Sequence, residues 1–305
     1  MDPLDDVFAA MHVNSALHSR LRPRAPWGVS FIKSRSIRFG FMLEGQGWLK
    51  VNGQPPRRLH HGEGFIARPG VLLSLTDEPQ TPTRACEEVF ADCAGKSAVF
   101  GGEGDPAELL CGWLTFDDSG AQPLLSLLPD CVVIPADAGR SPLLAATLQL
   151  LALETDEPHL GSRIVVRRLA DVLFMQAIRT HYRQTQPQQG WMAALSDSRL
   201  RPVIEKIHQQ LAFPWRLSEM AKQAGMSRSA FSTHFRQVTG ETPGEYLARW
   251  RIWRARCLLR HPNLTLGTIA RRVGYDSAIT FGRAFKRYEG RTPGEYRRAQ
   301  SLQLK

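Results

Sequence analysis

The sequence is poor in cysteine: five in 305 residues, an odd number scattered along the chain, which excludes a disulfide framework as its source of stability. Long apolar runs are missing as well. The strongest, around 143–153, is broken by Thr147 and Gln149 and falls short of the ~18 residues a membrane-spanning helix needs. The opening MDPLDDVFAAM is acidic where a secretory leader would be basic. These absences together lead us to expect a cytosolic protein with no membrane partner.

What is plentiful is positive charge, and it is unevenly placed. Residues 196–305 hold 21 Lys and Arg against 8 Asp and Glu, a net of +13, whereas the remainder nets −3. With 43% apolar residues the chain is long enough for two domains, each with its own core. A basic domain beside a near-neutral one points to a polyanion, with nucleic acid ahead of an anionic membrane because no basic amphipathic or lipidated segment is present. A merely soluble basic surface is the blander reading. TQPQQG at 185–190 reads as a polar linker between the two.

The pentapeptide TPGEY occurs at 242–246 and again at 292–296. Thr-Pro-x-Glu is a helix start, with Thr as cap, Pro preset for the first turn and Glu reaching back to the cap's N–H. The likeness extends upstream: 217–246 lies over 266–296 with one inserted residue, matching Leu217/Leu266, Ala221/Ala270, Gly225/Gly274, Phe231/Phe281, Phe235/Phe285 and Gly240/Gly290. A helix–turn–helix needs these residues: a small Ala where helices cross, Gly to end the first helix, Ser227 and Ser277 to cap the second, and Phe at i,i+4 facing inward. Between the copies, a stretch free of Gly and Pro after its first turn predicts a helix of roughly 19 residues and about 28 Å. That length suits two recognition helices set about 34 Å apart, one turn of B-DNA.

These residues resemble the AraC/XylS family of bacterial transcription regulators over 196–305, and IARRVGYDSAITFGRAFKRYEGRTPGEYRR is similar to that family's signature segment almost throughout. The resemblance implies an all-α, seven-helix, double helix–turn–helix domain whose third and sixth helices enter successive major grooves of double-stranded DNA, with RNA polymerase as a further partner. With the Phe pairs inward, Arg228, Ser229, Ser232 and Thr233 are left on the outer face of the first reading helix, and Ala278, Ile279, Gly282 and Arg283 on that of the second. Arg283 is the candidate for bidentate contact with guanine, and Ala278 or Ile279 for a thymine methyl; the hydroxyls discriminate weakly. Arg236, Lys286 and Arg287, a turn later, suit phosphates. Each has a plain solvent-facing alternative. At Ser229 and Gly282 the family often carries larger polar residues, leaving shape or water-mediated readout there.

Residues 27–75 read as β structure: Trp27–Ile32, Ile37–Glu44, Trp48–Asn52 and Phe65–Ala67, punctuated by EGQG, Asn52-Gly53 and Arg68-Pro69-Gly70. Short strands between Gly turns favour a sandwich or barrel, and FGFMLEGQGWLKVNG with LHHGEGFIARPG looks like the cupin-type sensor half of many AraC-like regulators. Cupin metal sites use a His-x-His near the first motif and a His past the Pro-Gly turn. Here Phe39-Gly40-Phe41 and Val71–Ser74 stand there, so neither metal nor other cofactor is expected, and adjacent His60 and His61 would point to opposite faces of a strand. Cys86 and Cys93 flank ACEEVFADC, read as a loop, and Cys111 lies in a strand-like LLCGW. A redox sensor built on Cys86, Cys93 and Cys111 is one reading of the signal; inert thiols with a small apolar or aromatic effector in the barrel are the other.

Two amphipathic helices are expected at Ser141–Glu154 and Ser162–Tyr182, the second with a stripe of Val165, Val166, Leu169, Val172, Leu173, Gln176 and Ala177. The family resemblance implies homodimerisation through such helices. The expected organisation is therefore a cupin-like β-barrel sensor (1–137), a helical linker and dimerisation region (138–195) and the DNA-binding domain (196–305). The expected function is a sequence-specific regulator answering a small molecule or oxidant. A cupin enzyme with a DNA-binding tail and a non-specific architectural DNA binder are the rivals.

Overall fold

The computed structural model describes residues 13–31, 36–91, 97–116, 125, 128–135, 142–156, 159–185 and 189–303. The described chain forms two compact units, one ending at Thr185 and the other starting beyond it.

The first unit contains β1 (Val13–Arg24), β2 (Gly28–Phe31), β3 (Ile37–Glu44), β4 (Gln46–Val51), β5 (Arg57–His60), β6 (Gly64–Ala67), β7 (Leu73–Thr76) and β8 (Arg84–Ala85). Helix α1 (Cys86–Ala91), β9 (Ser97–Gly101), β10 (Glu108–Phe116), β11 (Cys131–Ile134), α2 (Pro142–Asp156) and α3 (Ser162–Thr185) follow. The strands form two sheets, ordered β11-β6-β3-β10-β1-β9 and β5-β4-β7-β2-β8. Pairing is antiparallel except for β9 beside β1 and β8 beside β2. Between the sheets, Met42, Phe65, Leu109 and Cys111 meet Val29, Phe31, Leu49 and Leu75 in one buried cluster. The larger sheet is buried on its second face too, where Phe39, Phe41, Ile66 and Leu110 are covered and α3 packs on β1 and β11. Burial on both faces explains why IRFGFMLE reads as a nearly continuous apolar run rather than an alternation.

Helices α2 and α3 pack together and belong to this unit rather than to a separate linker. Arg20, in β1, fastens the end of α2 to the sheet. Its Nη1 lies 2.6 Å from Glu108 Oε1 and 3.2 Å from Asp156 Oδ1, and its Nη2 donates to the Ala152 carbonyl. Of the expected α3 stripe, Val166, Leu173 and Ala177 are buried, so its centre is core. The ACEEVF segment, expected as a loop, is instead α1, with Cys86 and Val89, three positions apart on one helical face, turned to the core.

The second unit comprises α4 (Trp191–Ser196), α5 (Arg201–Gln209), α6 (Leu217–Gln223), α7 (Arg228–Thr239), α8 (Pro243–Leu259), α9 (Leu266–Arg272), α10 (Ala278–Glu289) and α11 (Pro293–Gln303). From α5 onward these are the seven helices expected. Helix α4 lies upstream of the expected boundary at 196, inside a linker-like stretch, and belongs here because Trp191 packs edge-on against Trp250 (ring centroids 5.3 Å apart, 81°). Helix α8 has 17 residues, fewer than the sequence suggested, since Pro262 drives His261 out of helical geometry.

Two aromatic clusters repeat within this unit. Phe231 and Phe235 pack at 5.5 Å, and Phe235 meets Tyr246 edge-on at 5.4 Å. Phe281 and Phe285 pack at 5.6 Å, and Phe285 meets Tyr296 at 5.4 Å. The tyrosine of each TPGEY thus closes the core of its own hairpin. Among the described residues no helix is long and apolar enough to cross a membrane.

Candidate nucleic-acid interface and sensor interior

The second helix of each helix–turn–helix, α7 and α10, is built the same way. Ser227 Oγ accepts from the Ala230 N–H and Ser277 Oγ from the Thr280 N–H, capping α7 and α10. Gly240 and Gly290 end them in left-handed geometry, at φ 82° and 72°. The following helices open with full capping boxes: Thr242 N donates to Glu245 Oε2 at 2.9 Å and Thr292 N to Glu295 Oε2 at 2.8 Å.

With Phe231, Phe235, Phe281 and Phe285 fully buried, the other face of each helix is open. Arg228, Ser229, Thr233 and Arg236 are exposed on α7, with Ser232 half-buried. On α10, Ala278, Ile279, Arg283, Lys286 and Arg287 are exposed and Gly282 is half-buried. Ile279 is 69% exposed, unusual for a large aliphatic side chain and suited to a thymine methyl. The Ser229 hydroxyl lies 3.3 Å from Ser227 Oγ, so it already takes part in the cap.

Some arginines of this unit are held by internal partners. Arg249 pairs with Glu241 at 2.5 Å and Arg256 with Glu289 at 3.5 Å, while Arg297 donates to the Leu259 and Leu264 carbonyls. By contrast, Arg228, Arg236, Arg283, Lys286 and Arg287 make no ion pair or side-chain hydrogen bond with described residues. Their charged ends face solvent, as a phosphate-binding surface requires, although Arg236 and Arg287 also act on Glu245, and Lys286 on Glu295.

Sequence reasoning missed Asp197 and His234. Asp197 Oδ1 accepts from the Arg199 and Leu200 N–H groups and its Oδ2 lies 2.8 Å from His234 Nε2 on α7. Partial burial opposes ionisation, but the Leu200 and Arg199 N–H groups and the His234 ring hold the carboxyl below its ordinary range. One carboxylate thereby seats the first reading helix against the turn before α5. The Asp-Ser-Arg-Leu start was the readable signal, as an N-terminal cap.

In the first unit, the position of the cupin His-x-His is filled. A Cβ on Gly40 would lie 2.5 Å from the Phe65 ring, and past Pro69-Gly70 come buried Val71 and Leu73. His60 and His61 are both exposed. Among the described residues no group of three or more His, Cys, Asp or Glu could hold a metal.

Cys86 and Cys111 are buried free thiols. Burial pushes Cys86 up to about 11 against the opposing charge of Arg38, and pushes Cys111 higher still, with Cys86 adding to the effect. Both stay protonated at neutral pH, the reverse of an activated thiol. Cys93 lies outside the described residues. Arg38, also missed from sequence, enters this interior: its guanidinium lies 5.2 Å from the Phe31 ring centroid and 3.9 Å from Glu87 Oε1, and its Nε has no hydrogen-bond partner.

Comparison with known proteins follows this division. Residues 2–183 match a cupin family and residues 220–299 a helix-turn-helix domain. An AraC-like transcription regulator of Streptomyces lividans is 31% identical over 304 residues, 99% of this chain and 100% of its own. The HTH-type transcriptional regulator AlkR of Acinetobacter baylyi is 27% identical over 303 residues, 97% and 99% of the two chains. Among solved structures, the DNA-binding domain of AdpA in complex with a target DNA is 28% identical, covering 35% of this chain and 96% of that one at a TM-score of 0.34. The chain belongs to the AraC-like regulators: it is a DNA-binding transcription regulator with a cupin half and a helix-turn-helix half.

Proposed function

We propose that this regulator reads an operator of two short motifs one helical turn apart, with α7 in one major groove and α10 in the next. Arg283 takes a guanine, Ala278 and Ile279 meet thymine methyls, and Arg228, Ser232 and Thr233 supply the weaker readout of the first head. Arg236, Lys286 and Arg287 hold phosphates. The observation behind this reading is that Arg228, Arg236, Arg283, Lys286 and Arg287 stand exposed on the outer faces of α7 and α10 without an ion pair or side-chain hydrogen bond to described residues, whereas Arg249, Arg256 and Arg297 are held by internal partners.

The cupin half is assigned a non-catalytic sensing role in the cytoplasm, with a small, largely apolar effector rather than an oxidant acting on Cys86 or Cys111, because both thiols are buried within the apolar core between the sheets. Dimerisation is assigned to α2 rather than to the α3 stripe. Leu143, Ala146, Leu150 and Leu153 recur at three- and four-residue steps on its exposed face, and no charged residue occurs between Pro142 and Leu153. A second copy could cover this seam about a two-fold axis. Contact with RNA polymerase completes the reading.

Selection of bound sequences from a random duplex pool at near-physiological salt tests it, using reduced and mildly oxidised protein. Two motifs about one turn apart, recovered equally in both states, are expected. No motif would reduce the second unit to a general DNA anchor, and loss of recovery on oxidation would restore the thiol reading.

A further inference from the structure

Arg251 joins parts of both helical hairpins at a single guanidinium. It projects from α8, the helix between the two reading heads. Its Nε donates to the Leu211 carbonyl at 3.0 Å and its Nη2 to the Phe213 carbonyl at 2.7 Å, both in the loop that leads into α6 and the first head. The same guanidinium lies 5.7 Å from the ring centroid of Tyr275, in the turn of the second head. Tyr275 in turn packs on Phe281, the first inward aromatic of α10, at 5.8 Å.

The turn leaves space for this arrangement. Gly274 sits at φ +83°, and a Cβ there would lie 2.6 Å from Arg251 Nη2 and 2.9 Å from the Ala212 carbonyl oxygen. Glycine is therefore required twice over, by its backbone angle and by the closeness of the guanidinium. A planar fork can bond two carbonyls while stacking on an aromatic face; an ammonium cannot do all three.

We infer that Arg251 is a positioning residue that fixes the angle and spacing between the two reading heads, and so sets the separation of motifs the protein accepts. This rests on the two-reader assignment above. A rigid joint favours one motif separation because binding at that separation needs no further ordering, while a loose joint spreads affinity over several.

The test compares full-length wild type, Arg251→Lys and Arg251→Met on three duplexes from the selection: both motifs at the recovered separation, the same with one base pair inserted, and one motif alone. Wild type is expected to bind the first at least tenfold more tightly than the second. Both variants should lose about tenfold on the first duplex, hold the single motif within about twofold, and show a much smaller penalty for the insertion. A purely structural role would weaken all three duplexes alike, in step with a lowered thermal midpoint, and that result overturns the inference while leaving two readers in place. A wild type indifferent to the insertion overturns both.

Discussion

At the scale of single residues, the outer faces and the inner cores make different demands. Arg283 has no ion pair or side-chain hydrogen bond among the described residues, so Arg283→Ala should leave the fold untouched and remove about 1–3 kcal/mol of discrimination at one guanine. Lys286→Ala should instead weaken all duplexes alike and lower the salt slope by about one. Competition binding across base substitutions and salt concentrations separates the two outcomes. His208 belongs to the core. Its ring is pushed down to about 3 by burial, with the Arg249 charge acting in the same direction, and its Nε2 lies 2.8 Å from the Tyr246 hydroxyl. The folded pKa lies below the ordinary value of 6.5, so the unfolded chain takes up a proton that the folded chain refuses. The stabilisation is complete above pH 6.5 and is lost as pH falls towards 3, by at most about 1.4 kcal/mol per pH unit. Urea midpoints at pH 7.5, 6 and 5 should fall for wild type and stay flatter for His208→Gln.

At the scale of elements, the TPGEY boxes offer a paired experiment. Thr242→Ala and Thr292→Ala each remove one cap of the same geometry and should each lower stability by about 1 kcal/mol, read as a drop in thermal midpoint; unequal losses would mean the two hairpins are not energetically equivalent. These elements were legible in sequence because local rules specify them: Ser227, Gly240 and Thr242 act within a turn of their own position, and Phe231 and Phe235 follow helical spacing. The β3 strand was legible for its length and turns. Other features lay beyond local rules. β1 was missed, and its Arg20 is explained by Glu108, Asp156 and the Ala152 carbonyl, all far along the chain. Cys86 looked like a loop thiol because Glu87 and Glu88 surround it, yet those side chains face outward on α1 while Cys86 faces the core. Asp197 acts through His234, 37 positions away, and no spacing rule links the two.

At the scale of the whole molecule, the exposed seam on α2 is the surface we propose for pairing with a second copy. Leu150 and Leu153 are 54% and 69% exposed, an arrangement suited to burial against a second copy. Leu150→Lys should convert a dimer to a monomer in sedimentation without changing the motif each head selects; a wild type that sediments as a monomer at micromolar concentration removes this face from consideration. The doubled aromatic cluster has a further consequence. Phe231, Phe235 and Tyr246 repeat as Phe281, Phe285 and Tyr296 with centroid distances matching within 0.1 Å, and none of these rings shares a surface with the residues assigned to bases. Under the proposed readout each head is therefore a cassette with a buried aromatic inner half and an exposed outer half. Exchanging the exposed positions of one helix should then change one half of the operator and leave the other half recognised as before.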